Sequence, residues 1–63
     1  MQRMVIYPKD VQRITGRSEK FSRRLLGQIK VKFAKESHQF VSVDDFCQYT
    51  GLAQETVNRF ITD

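Results

Sequence analysis

YPKDVQRITGRSEKFSRRLLGQIKVKF fills residues 7–33 and contains a complete instruction for two helices meeting at a corner. Pro8 suits the first turn of a helix, where its missing N–H has no partner to lose. Val11 and Ile14, with Thr15 beside them, supply a short inner stripe of about two turns. Gly16 can take the left-handed conformation that ends many helices, and Ser18 is a favoured N-terminal cap, so stop and start fall within three residues. A second helix is expected from Glu19 to Ala34, with Phe21, Leu25, Ile29 and Phe33 recurring every four residues and Ser22 and Leu26 on the flank. Its other side carries Lys20, Arg23, Gly27 and Lys30, with Arg24 and Glu19 at the margins.

The pattern returns 35 residues later. Residues 6–26 laid on residues 41–61 match Asp10 with Asp45, Thr15 with Thr50, Gly16 with Gly51 and Arg24 with Arg59. Ile6, Val11, Ile14, Leu25 and Leu26 fall on Val41, Phe46, Tyr49, Phe60 and Ile61, all apolar or aromatic. In the second copy Ser42 caps a helix with Asp44 and Asp45 in its first turn, at the positive end of the helix dipole. Phe46 and Tyr49 are expected to face inward, Thr50-Gly51 to turn the corner, and residues 52–61 to form a last helix with Leu52, Val57, Phe60 and Ile61 in the core. Neither pair can bury its apolar face alone, so the two are expected to share one core. The resulting expectation is an all-α fold of four helices in two helix-turn-helix-like pairs, forming a single domain over residues 1–63. Residues 4–7 and 40–43 alternate as short extended segments and could pair as a two-stranded ribbon.

Sixty-three residues allow only one small core, since chains of this size bury about 60% of their unfolded surface. Hydrophobic content of 40% and charged content of 29% belong to a folded chain. One cysteine and one histidine rule out an internal disulfide and a tetrahedral metal site of their own, which fits a reducing, cytoplasmic setting. The four apolar residues before Pro8 at most are too few for a leader or a membrane span, so no membrane partner is expected.

The net charge of +4 is unevenly placed. Residues 1–32 hold nine Lys/Arg against two acids, a net of +7, whereas residues 33–63 hold two against five, a net of −3. Such a chain has an electrostatic footprint for a polyanion on one half only.

Catalysis finds little support. His38 stands in a polar linker away from any nucleophile, and adjacent acids such as Asp44 and Asp45 point about 100° apart on a helix. The glycines at 16, 27 and 51 form no phosphate cradle, so neither a cofactor nor a small-molecule substrate is expected. Gly27 costs roughly 1 kcal/mol in a helix interior. It either lets the backbone approach DNA closely or admits a bulky neighbour from the other repeat, and packing is the expected reason.

Duplex recognition fits the residue types. Arg17, Ser18, Lys20 and Arg23 lie at the corner or along the outer face of the second helix, where base edges are reached; Arg24, Lys30 and Lys32 suit phosphates; Lys9 and Arg13 can hold the backbone from the preceding helix. VSVDDFCQYTGLAQETVNRFI (residues 41–61) resembles the helix-turn-helix of Lac-repressor-type and MerR-type regulators, with Thr56, Val57 and Arg59 in place of the usual Thr-Val-x-Arg. That resemblance implies reading positions at Gln54, Glu55 and Asn58 and core positions at Val57, Phe60 and Ile61. The copy departs from the pattern at Ala53, where Ser or Thr is usual, and in its acidic charge. IYPKDVQRITGRSEKFSRRLLGQIK (residues 6–30) resembles the small excisionase and MerR-like DNA-binding proteins of bacterial mobile elements, with a Gly corner, a Ser cap and a basic recognition helix. The resemblance implies double-stranded DNA as partner and a role in transcription regulation or recombination.

The function expected from sequence is therefore a non-enzymatic DNA-binding protein, with the basic copy on DNA and the acidic copy as buttress, homodimer contact or docking face. The rival expectation is a protein-interaction module that presents its helix pairs to a partner. RNA ranks third, because neither tyrosine sits in a recognisable stacking platform.

Overall fold

The computed structural model describes residues 4–61. The fold is all-α, with four helices among the described residues: α1 Pro8–Thr15, α2 Glu19–Lys32, α3 Val43–Thr50 and α4 Gln54–Asn58. Packing joins α1 to α2, α3 to α4, and the two pairs through α2 and α3. Among the described residues, no helix is long and apolar enough to cross a membrane.

The internal repeat is written in hydrogen bonds. The Asp10 carboxylate accepts from the Tyr7 N–H at 2.8 Å, and the Asp45 carboxylate accepts from the Ser42 N–H at 3.1 Å. The hydroxyls of Thr15 and Thr50 donate to the carbonyls of Val11 and Phe46 at 2.7 and 2.8 Å, and accept from the N–H groups of Arg17 and Leu52. Gly16 and Gly51 close the helices at φ 70° and 80°, their N–H groups reaching Gln12 and Cys47 carbonyls at 2.8 Å in both copies. A left-handed residue there disfavours any side chain, which is why glycine stands at both corners. Ser42 completes its box by accepting from the Asp45 N–H at 3.0 Å.

The ribbon between residues 4–7 and 40–43 reduces to an isolated antiparallel bridge, Val5 with Ser42, flanked by Ile6 N–H to Val41 O at 2.9 Å and Val43 N–H to Met4 O at 2.8 Å. Ile6 and Val41 are both bridge neighbours and equivalent positions of the sequence repeat. The residue 35 positions before Val43 is Pro8, which has no N–H to make the equivalent bond. Tyr7 and Phe40 continue the register as an edge-to-face pair 6.5 Å apart.

The core consists of Ile6, Val11, Leu26, Ile29, Val41, Val43, Phe46, Cys47, Val57 and Ile61, with Ile14, Leu25 and Phe33 packed at its edge. Phe46, Ile29, Val11 and Val57 are fully enclosed, so both copies feed one interior. Burial pushes the Cys47 thiol above its ordinary pKa, with the charge of Asp44 adding to the effect.

Several expectations are corrected. The buried line of α2 is Ser22, Leu26 and Ile29, whereas Phe21 and Leu25 are half-buried. Four-residue steps advance about 400°, so the line from Phe21 to Phe33 drifts about 120° around the helix, and its early members Phe21 and Leu25 fall about 100° and 60° away from Ser22, at the margin of the buried stripe. Ser22 tolerates full burial because its hydroxyl donates to the Ser18 carbonyl at 2.9 Å. Helix α2 stops at Lys32 rather than Ala34: Ala34 takes φ 56°, and the Lys35 N–H returns to the Lys30 carbonyl at 2.8 Å in a Schellman closure. Tyr49, Leu52 and Phe60, expected inside, are exposed. Leu52 belongs to the corner, and α4 ends at Asn58, before the helical period can carry Phe60 inward. Ala53 offers α4 no side-chain cap, and five residues make a weak helix. Among the described residues Gly27 has nothing within 4 Å of where its Cβ would be, so the bulky neighbour expected from the other repeat does not occupy that space.

Candidate nucleic-acid interface

Helix α1, the Gly16–Arg17–Ser18 corner and α2 position all eight candidate residues, and the structure divides them by what each already holds. Lys9, Lys20 and Arg24 are exposed, with no hydrogen-bond or ion-pair partner among the described residues. Lys32, further along α2, stands the same way. Arg17 lays its guanidinium over the Phe21 ring, 4.2 Å from the centroid, which fixes the charge at the corner without neutralising it. Ser18 accepts from the Phe21 N–H at 3.1 Å, so its hydroxyl oxygen caps α2. Around the corner, Arg17, Ser18, Lys20, Phe21 and Arg24 line one shallow hollow.

The remaining three are engaged. Arg23 donates through Nε to Glu19 at 2.8 Å, with Nη2 at 2.7 Å from the same oxygen. Both side chains are well exposed, so this i, i+4 pair steers Arg23 while contributing little stability. Arg13 lies 3.6 Å from the enclosed Asp10 carboxylate. Lys30 donates to the Ser37 carbonyl at 2.9 Å and ties α2 to the following loop. Arg23 and Lys30 thus belong to a different side of α2, where they border a groove with Ile6, Tyr7, Leu26, Gly27 and Phe40.

The geometry of α2 explains this division. With the buried Ser22 as zero and about 100° per residue, Lys30 and Arg23 lie near 80° and 100°, whereas Gly27, Lys20, Val31 and Arg24 cluster between about 140° and 200°. The face opposite the core therefore holds Lys20 and Arg24, and its centre is Val31, 82% exposed. Sequence reasoning passed over Val31 and the exposed Gln28; the available signal was a β-branched residue and a glycine on the polar side of a helix.

The second copy presents different chemistry at equivalent positions. Leu52 replaces Arg17 and Glu55 replaces Lys20. Gln54 donates to Asp44 at 3.1 Å and Gln48 donates to the other oxygen of that carboxylate at 3.0 Å, which draws Gln54 onto the start of α3. Lys35, turned back by the left-handed Ala34, meets Asp45 at 3.0 Å. Burial alone would raise the Asp45 pKa, but the Ser42 hydrogen bonds and the Lys35 ammonium outweigh it and hold the carboxyl below its ordinary value.

No family model, curated protein or solved structure matches the chain.

Proposed function

We propose that the protein is a non-enzymatic binder of double-stranded DNA, serving transcription regulation or recombination, and that α2 enters the major groove while α1 lies across the backbone. The observation that carries this reading is the set of cations without carboxylate partners, Lys9, Arg17, Lys20, Arg24 and Lys32, around the outer side of one helix pair. Their orientation depends on the core beneath them, and the acidic copy sits behind it as a support. Phosphate contacts from Lys9 and Lys32 set the register, and the corner of α2 brings Arg17, Lys20 and Arg24 toward the bases.

A double charge reversal, Lys20→Glu with Arg24→Glu, tests the proposal by gel shift and circular dichroism together. Loss of duplex binding with helix content and melting unchanged is expected; retained binding would overturn the reading. A second reading, docking of a protein partner, is favoured by the groove of Ile6, Tyr7, Leu26 and Phe40 bordered by Arg23 and Lys30. It is separable because Arg23→Glu would abolish that contact and leave DNA binding nearly intact.

A further inference from the structure

Two residues on the outward face of α2 lower the helix's own stability with no return inside the molecule. Gly27 is less favourable than alanine by roughly 1 kcal/mol in a helix interior, and its missing side chain admits no neighbour among the described residues, since no atom lies within 4 Å of the Cβ position; it sits between the outward face and the groove bordered by Arg23 and Lys30. Val31 is β-branched and 82% exposed, at a position where lysine, glutamine or alanine would favour the helix more and leave less apolar surface in water. They lie four residues apart on one face, and Lys20, Arg24 and Gln28 beside them have no hydrogen-bond or ion-pair partner among the described residues. Local rules broken together on one surface mark a place where something else makes contact.

We infer that this face is a base-reading strip running most of the length of α2. Resting on the duplex reading above, it names the residues that select sequence and the kind of site they select. Lys20 and Arg24 donate to the O6 and N7 of guanine, Gln28 makes the paired hydrogen bonds that adenine N6 and N7 allow, and Val31 packs on the thymine C5-methyl group. Gly27, at the middle of the strip, lets the helix backbone sink toward the groove floor. Lys20 to Val31 spans about 16 Å along the helix axis. At about 3.4 Å per base step that is roughly five base pairs. The target is therefore a short asymmetric site, with guanine at the end served by the Gly16 corner and A·T pairs at the end served by Gln28 and Val31. This differs from the sequence expectation, in which Arg24 only tracked phosphate and Arg23 read bases.

The test is selection of binding sites from a random duplex library with the full chain, followed by titration of the selected and a scrambled duplex at one salt concentration. The selected site is expected to bind at least tenfold tighter, with the order of bases given above. Gln28→Ala is expected to lower that ratio about tenfold while leaving scrambled-duplex affinity unchanged. Replacing thymidine by deoxyuridine removes only the methyl group: it is expected to weaken wild type several-fold and leave Val31→Ala indifferent. Gly27→Ala is expected to raise the melting temperature and weaken binding to both duplexes, a split that a purely structural glycine would not produce. If wild type binds both duplexes equally, or the Gln28 and Val31 variants keep the wild-type preference, the base-reading strip is overturned and duplex binding stands. If wild type binds neither duplex at low salt, both fall.

Discussion

Replacing Phe46 by alanine probes whether one interior holds both helix pairs. Phe46 is the largest side chain with no exposure among the described residues, lies in the acidic copy, and is the repeat partner of the equally enclosed Val11. Phenylalanine-to-alanine changes in such sites cost about 3–5 kcal/mol, through lost transfer energy and the cavity left behind. A domain of this length has roughly 3–9 kcal/mol in total, at about 0.05–0.15 kcal/mol per residue. The variant is thus expected to lose half or more of its stability. A loss of about 3 kcal/mol lowers the melting midpoint by roughly 20 °C in so small a domain. Thermal melts followed by circular dichroism measure the shift, and amide exchange shows where it is felt. Because Phe46 and Ile29 share the same core, amides of α2 in the other copy are expected to lose protection in parallel with those of α3. Protected α2 amides beside exchanging α3 and α4 amides would refute the shared core and with it the reason for the duplication.

Acid is expected to weaken the fold through Asp45. Its folded pKa lies below the ordinary value of 3.8, so the unfolded chain takes up the proton first; the stability it contributes is complete above about pH 4 and drains as pH falls through the folded value. Denaturant midpoints from pH 6 to pH 2 should fall less steeply in Asp45→Asn, and equal slopes would contradict the assignment. Ala53→Ser supplies α4 with the cap that Ser18 gives α2, and is expected to stabilise by up to about 1 kcal/mol; Ser18→Ala should cost a similar amount. Urea titration checks both.

The corners were legible from the sequence because they demand particular atoms. Glycine is the residue most at ease at the φ of residues 16 and 51, and the Asp10 and Asp45 carboxylates, repeat equivalents, reach back to the N–H groups of Tyr7 and Ser42. What stayed hidden depends on context. The stop of α2 uses a left-handed Ala34, a residue that gives no warning of it, and the Lys35–Asp45 contact follows from that turn. Leu52 and Phe60 were placed inside by counting a helical period beyond the point where α4 ends. Composition located the positive charge in the first copy, whereas dividing it needed neighbours: Glu19 holds Arg23, the Ser37 carbonyl holds Lys30, and Lys20 and Arg24 face water. The Glu19–Arg23 pair was itself readable as an i, i+4 spacing.

The salt dependence of duplex affinity tests the central claim most directly. On a scrambled duplex, where no base edge is read, Lys9, Arg17, Lys20, Arg24 and Lys32 all turn to the backbone, and neutralising about five phosphates gives a log–log slope near −4.5. Lys20→Gln with Arg24→Gln should bring it to roughly −2.7 with the fold unchanged. A slope near zero, or binding absent even at low salt, would contradict a cationic helix face built to meet DNA.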